Sequence, residues 1–295
     1  GKETRNIVMA NYSNDFSIEN LEVIRRYQSN EDNVFFAYSE FSYNTLVGAY
    51  EPFLDIICNM HRHFIGGSFD DFQRECGVYY LHRQVLNSYY ETGECFREET
   101  VLLNEVAYEQ RRMTKAIVDM LKRLSEVRPL MIVINRFQMA SKSSIETIKY
   151  LIDNPCTNIG IVLGVNVQVK GTDSTVEVWD RIVESLEDRS AIYYIGSAGQ
   201  QKNHIRDTSD DELYITTNFE QSIQEASNIM EFLDYEQARR GCRIIEHKIK
   251  FEDAWIDEKS LRRFYLIYAR TSVLLGEMSK AIELTNEYKA LIPES

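Results

Sequence analysis

The chain has 295 residues, 44% of them hydrophobic and 27% charged, with a formal net charge of −13 at pH 7. That length suffices for two domains or one large one, and the acidic balance argues against a general nucleic-acid surface, which needs clustered Lys and Arg to hold phosphates. No apolar run approaches the ~20 residues of a membrane helix, and five scattered cysteines, odd in number and never in a CxxC pair, suit the reduced thiols of a cytoplasm rather than a disulfide framework or a zinc site.

In chain order, Asn6 to Ala10 is a short apolar strand, followed by the polar stretch Asn11 to Asp15 and a helix from about Ser17 to Gln28, with Ile18, Leu21 and Ile24 as its stripe. Asn33 to Tyr38 is a second strand. Tyr50 to Phe64 is a helix ended by Gly66-Gly67, and the signals stay helical and aromatic-rich from Phe69 to Val127. Leu130 to Ile134 is uniformly apolar, as a strand buried on both faces must be. It runs through Asn135-Arg136 into a helix whose apolar residues Ile145, Ile148, Leu151 and Ile152 recur at helical spacing, with Ser143 or Ser144 as its cap. Asn158 to Val165 and Ala191 to Ile195 are further strands, with a helix from Thr175 to Leu186 between them. The alternation predicts a five-stranded parallel α/β sheet. Leu130–Ile134 is expected at its centre, flanked by Asn6–Ala10 and Asn158–Val165. In open sheets of this kind, ligands sit at the carboxyl ends of the strands.

Residues 200 to 212 are polar and charged, and from Asn218 onward only helical patterns remain. Leu261–Leu275 and Met278–Leu291 read as an antiparallel pair joined at Gly276. The expected division is residues 1–205 as the α/β domain and 206–295 as an all-α helical-repeat region. Among chemistry-bearing residues, His61 and His63 are two apart on a helix and point to different faces, so no metal pair is expected. Glu105, Glu109 and Asp119 read as surface charge. Cys58, among Ile56, Ile57 and Met60, reads as a buried inert thiol. The tyrosine pairs Tyr79-Tyr80 and Tyr89-Tyr90 suggest a protein-binding face.

The order strand, tight turn, helix, strand, helical insertion, apolar strand, then Asn135 to Ser144 (NRFQMASKSS) resembles the STAND/AAA-type P-loop ATPase module of large bacterial signalling regulators. Gln138, Ala140 and the serine pair Ser143-Ser144 carry the resemblance, over roughly residues 5 to 196, and element order carries more of it than motif identity. The resemblance implies a P-loop NTPase-like sheet flanked by helices, with a phosphate loop after the first strand and an acidic pair at the end of the apolar one. Here both are degenerate. A working loop reads GxxxxGK[ST], so that glycine amides wrap the phosphates and a lysine reaches the outer ones. At that place stand Ala10, Ser13, Asp15, Phe16 and Ser17, with Ala10 and Asp15 where glycines belong and Phe16 where the lysine belongs. An aspartate there repels a triphosphate, by about 4 kcal/mol for charges roughly 4 Å apart at an effective dielectric of 20. Asn135 and Arg136 occupy the acidic positions, so neither a Mg²⁺ ligand nor a carboxylate to orient the attacking water is supplied. The inverted polarity predicts that Arg136 reaches into the vacated phosphate space toward Asp15 or nearby loop carbonyls.

Toward the C-terminus, Tyr265, Ala269, Gly276, Ala281 and Pro293 fall at tetratricopeptide intervals. Tyr268, Thr285 and Tyr288 depart from that pattern, and an ordinary helical hairpin is the alternative. The expectation is a non-catalytic pseudo-ATPase with no cofactor, a regulatory or scaffolding segment of a larger bacterial signalling or transcription-regulating protein. It would contact a protein partner or an output domain lying outside this sequence, without touching nucleic acid or membrane itself. Two alternatives remain open. One is a nucleotide-binding switch with weak ATP or ADP affinity and little hydrolysis. The other is a peptide-binding helical-repeat module capped by an α/β domain.

Overall fold

A computed structural model describes residues 6–12, 33–41, 46–98, 101, 104–167, 176–189, 191–195, 219–251 and 256–292. In chain order the elements are β1 (Ile7–Tyr12), β2 (Phe35–Glu40), α1 (Phe53–Met60) continued by one wide turn (His61–Ile65), α2 (Phe69–Glu75), α3 (Tyr80–Thr92), α4 (Val106–Val127), β3 (Leu130–Asn135), α5 (Lys142–Asp153), β4 (Ile159–Asn166), α6 (Val176–Asp188), β5 (Ile192–Tyr194), α7 (Phe219–Glu231), α8 (Tyr235–Phe251), α9 (Glu258–Leu274) and α10 (Met278–Ala290). The helix expected from Ser17 to Gln28 lies outside the described residues.

By compactness the chain forms two units, each interrupted in sequence. The first comprises Gly1–Tyr43, Tyr50–Tyr79 and Met113–Glu212, and the second Asn44–Ala49, Tyr80–Arg112 and Leu213–Ser295. The single boundary expected at residue 205 is therefore replaced by an interleaved one. The stretch from Tyr80 to Arg112 belongs with the C-terminal helices, and α4 passes from one unit to the other after Arg112.

The first unit is α/β, with a parallel five-stranded sheet in the order β2-β3-β4-β1-β5. This corrects the expected arrangement. β3 is interior but lies between β2 and β4, and the middle strand is β4. Every residue of β3 is buried, as its run of apolar side chains requires. Period-2 alternation divides the side chains between two faces. One carries Ala10, Met131, Val133 and Val162, with Val8, Phe36 and Tyr38 packed against them. On the other, Met9, Ile132, Ile134, Ile161 and Leu163 are almost wholly excluded from solvent. The steps β2→β3, β3→β4 and β4→β5 all run the same way across the sheet, so right-handed crossover sets their helices on a common face. The cap of α5 is Ser141, not Ser143 or Ser144; its extended backbone (φ −65, ψ 156) lets its hydroxyl accept from Ser144 N at 3.4 Å.

The second unit is helical. α7 and α8 pack on each other, and α9 packs on both as well as on α10. Its core holds Ile223, Ala226, Ile229, Cys242, Ile245, Phe264 and Tyr268. Asp257 caps α9 by accepting from Ser260 N at 3.0 Å. The α9–α10 turn needs Gly276 at φ 77, a left-handed backbone that costs glycine nothing. Among the described residues no helix is long and apolar enough to cross a membrane.

Candidate functional site at the carboxyl ends of the strands

β2, β3, β4 and β1 end in Glu40, Asn135, Asn166 and Tyr12. Alternation sends Tyr38, Glu40, Asn135 and Tyr12 to one face of the sheet, and there they bond to each other. The buried Tyr12 hydroxyl donates to Asn135 Oδ1 at 2.6 Å, reaching past β4 to do so. The same oxygen accepts from Arg136 N at 2.9 Å. Asn135 Nδ2 donates to the Tyr38 hydroxyl at 3.4 Å, and that hydroxyl donates to Glu40 Oε2 at 3.0 Å. Glu40 Oε1 pairs with Arg136 Nη2 at 2.9 Å, which closes a ring through Arg136, Glu40, Tyr38 and Asn135. Arg136 Nη1 also donates to the Phe41 carbonyl at 3.5 Å. On the opposite face, Asn11 Oδ1 is buried without a hydrogen-bond partner.

Backbone geometry makes the ring reachable. Arg136 sits at φ 54, ψ 42, a left-handed conformation uncommon for a long side chain, and this turns its N–H back onto Asn135. A single 3₁₀ turn, Phe137–Met139, then carries the chain to α5. In it Phe137 packs on Trp179 with ring centroids 5.7 Å apart. Gln138 accepts from Asn166 N at 3.4 Å and donates to Asn166 O at 3.5 Å, tying this turn to the end of β4.

Several sequence expectations change here. Ala10, read as the first position of a phosphate loop, is a core residue inside β1, paired with Gly164 on one side and Tyr193 on the other. Strand pairing continues to Tyr12 because Asn11 and Tyr12 still meet β4. Ser13, Asp15, Phe16 and Ser17 lie outside the described residues. Among the described residues Arg136 pairs with Glu40 at the end of β2; its expected engagement with Asp15 or nearby loop carbonyls falls on residues outside the described ones. The serines act structurally: Ser143 Oγ accepts from Tyr50 N at 2.9 Å, and Ser144 Oγ donates to Glu51 O at 2.6 Å. Glu40 and Tyr12 lie two residues beyond the expected ends of their strands, and Tyr38, the expected last residue of its strand, carries no motif that singles it out. Extending the alternation Phe36, Tyr38, Glu40 was the available signal. Chemically, the one carboxylate of the ring has both oxygens engaged, Asn135 is neutral, and the cation is covalently part of the site.

No family model, curated protein or solved structure matches the chain.

The second unit holds another concentration of buried polar groups. Arg97 Nη2 donates to the Glu231 carbonyl at 3.1 Å, placing a cation at the C-terminus of α7, where the helix dipole favours it. Arg97 Nε and Nη1 are buried without hydrogen bonds. The Glu231 carboxylate pairs with Arg270 at 2.7 Å, and burial pushes its pKa up against the pull of Arg270 and Arg97. Asn228 binds the same strap of chain, accepting from Cys95 N at 2.8 Å and donating to Gly93 O at 2.9 Å. His82 Nε2 lies 3.0 Å from Glu109 Oε2. That carboxylate would ordinarily raise a histidine, yet burial, with Arg97 and Arg112 nearby, pushes His82 down to about 3. Burial decides, so the ring is neutral beside Glu109. Glu109, expected on the surface, is buried.

Of the tetratricopeptide positions, Ala281 is buried, Tyr265 and Ala269 are half-buried, and Pro293 lies outside the described residues. Phe264 and Tyr268 are the buried aromatics described on α9, with Lys280 5.4 Å from the Tyr268 ring centroid. His61 is wedged between Phe69 and Phe72, at 5.0 and 5.2 Å, while His63 is exposed. Burial pushes the Cys58 thiol up to about 12, as suits an inert core residue.

Proposed function

We propose that this chain is a non-catalytic regulatory or scaffolding segment of a larger signalling protein. In this reading, a P-loop-type α/β core has given up nucleotide chemistry and is joined to a tetratricopeptide-like helical unit that carries protein contacts. The observation that supports it is the closed ring at the strand ends. A site that hydrolyses a nucleotide keeps a carboxylate available for Mg²⁺ and a second group to orient water. Here Glu40 is bound by Arg136 and Tyr38, and the β3 position is an amide held by Tyr12. Arg136 takes the electrostatic part of a metal ion, neutralising the carboxylate from within the chain. Polar atoms at the end of a buried sheet need partners, and these find them in one another.

Calorimetric titration with ATP and with ADP, each with and without Mg²⁺, tests this directly. The expected result is no binding tighter than about 100 μM, equivalent to roughly −5.5 kcal/mol, and no phosphate release. A tighter Mg²⁺-dependent complex would overturn the reading and favour a nucleotide switch.

A further inference from the structure

The two hairpins of the helical unit are built on one plan. At the α7–α8 turn, Phe232 N donates to Asn228 O at 3.0 Å, Leu233 N to Met230 O at 2.9 Å, Asp234 N to Ile229 O at 3.2 Å and Ala238 N to Asp234 O at 3.0 Å. Each bond recurs 43 residues later at the α9–α10 turn, from Leu275, Gly276, Glu277 and Ala281 to Thr271, Val273, Ser272 and Glu277, at 2.8–3.0 Å. The left-handed residue of the turn recurs with them, Leu233 at φ 69 and Gly276 at φ 77. So does a buried alanine, Ala238 in one hairpin and Ala281 in the other.

Equivalent positions then part company in burial. Ile223, Met230 and Tyr235 are 1%, 3% and 7% exposed, whereas Leu266, Val273 and Met278, their counterparts 43 residues on, are 52%, 45% and 56% exposed. Arg239 of α8 reaches Glu277 at the start of α10, Nη1 lying 2.6 Å from Oε1, while its own counterpart Ile282 is 63% exposed. The second hairpin covers the first: α9 packs on both α7 and α8. The strap at residues 93–97 is held by Asn228, roughly 150° around α7 from Ile223 and Met230 at about 100° per residue, and so lies on another side. The four exposed side chains share one face. On α9, Leu266 and Val273 are two turns apart, each roughly 160° around from the buried Tyr268 or Thr271. On α10, Met278 and Ile282 both lie roughly 160° around from Lys280, whose ammonium meets Glu246 of α8 at 2.8 Å. Both helices thus turn these residues away from the first hairpin, onto the free side of the layer they form.

We propose that this face receives a third hairpin of the same repeat, continued in the same polypeptide. The packing of α9–α10 on α7–α8 shows what covers such a face in this molecule, and stacked repeats bury their apolar sides only against neighbours of their own kind. A second copy cannot repeat that packing, because the inner side of its own α9 is already spent on α7 and α8. Such a neighbour presupposes that the chain is a segment of a larger protein, not that the first unit has lost nucleotide chemistry, and the ATP titration judges that loss separately.

The test extends the full chain directly after Ser295 with a second copy of residues 253–295, which keeps the period. Circular dichroism is expected to show added helix matching the 17 and 13 residues of α9 and α10. The thermal midpoint is expected to rise by about 3 °C or more. Leu266→Ser and Ile282→Ser, made in the first copy only, should each lower the midpoint of the extended chain by about 3 °C or more, and that of the unextended chain by about 1 °C or less. An added segment without helix, an unchanged midpoint, or equal effects of the variants in both chains would overturn the proposal. So would concentration-dependent self-association of the unextended chain that Ile282→Ser abolishes, since the occupant is then a second copy. If the extended chain aggregates, a synthetic peptide of residues 253–295 is titrated onto the unextended chain and followed by anisotropy. Binding that Ile282→Ser in the chain weakens about tenfold supports the third hairpin. Binding indifferent to that change, or none at about 1 mM peptide, overturns it.

Discussion

At the strand ends of the sheet unit, the charged pair Glu40–Arg136 keeps one third of each side chain in water, and the remaining members of the ring are an amide and hydroxyls. In the helical unit, Glu231 and Arg97 are buried, and a neutral histidine lies against the buried Glu109. Both regions are networks, yet they respond differently to losing a member. A half-exposed ion pair is screened and replaceable by water, whereas a buried charge left without its counterpart retains its full desolvation cost. The sheet site is therefore expected to tolerate change, and the helical cluster to resist it.

The largest effect should come from Glu231→Ala, which leaves Arg97 buried without the neighbouring carboxylate and Arg270 without its partner. A loss of about 3 kcal/mol in urea unfolding is expected, the low end for a broken buried pair because Arg270 reaches solvent. A loss under about 1 kcal/mol would erase the contrast between the two regions.

Acid should come next. His82 is held at about 3 when folded, against 6.5 for the free group. A folded value below the unfolded one means that the unfolded chain takes up the proton first. The contribution is thus fully present above pH 6.5 and is lost as pH falls from there toward 3, by up to about 1.4 kcal/mol per pH unit. His61 is shifted in the same direction by burial, so the difference between wild type and His82→Gln isolates the helical cluster. If unfolding midpoints of the two fall in parallel between pH 7 and 5, His82 is not the group responsible.

Tyr12→Phe removes one hydrogen bond from the ring while Asn135 Oδ1 keeps the Arg136 amide. A loss of about 1 kcal/mol is expected, and a much larger one would mark the sheet site as the more brittle region. Smallest of all, Glu40→Gln should cost about 0.5 kcal/mol or less, and the difference should vanish at high salt.

The sheet was legible in sequence because apolar runs such as Leu130–Ile134 have few other uses. The order of its strands was not. β1, β3 and β4 carry similarly buried side chains, so composition cannot rank them, and the reading placed β3 in the middle where β4 stands. The ring at the strand ends was half legible: Asn135 and Arg136 were singled out, but Glu40 was not, because the reading of β2 stopped at Tyr38. In the helical unit, Asn228 and Cys95 are 133 positions apart, and Arg97 and Glu231 are 134 apart. No local pattern announces a partner at that distance, which is why the Tyr80–Arg112 segment was read with the sheet domain.

That interleaving also imposes a timetable on synthesis. The segment ending at Arg112 leaves the ribosome with Cys95 and Arg97 ready, but their partners on α7 follow roughly 100 residues later, a wait of about 5–20 s at ordinary elongation rates. During that interval Cys95, destined for the interior, lacks the Asn228 side chain that accepts its N–H. The nascent chain is then a natural client for a chaperone, and slowing translation between Met113 and Leu213 should lower the yield of folded protein more than slowing it anywhere after α8.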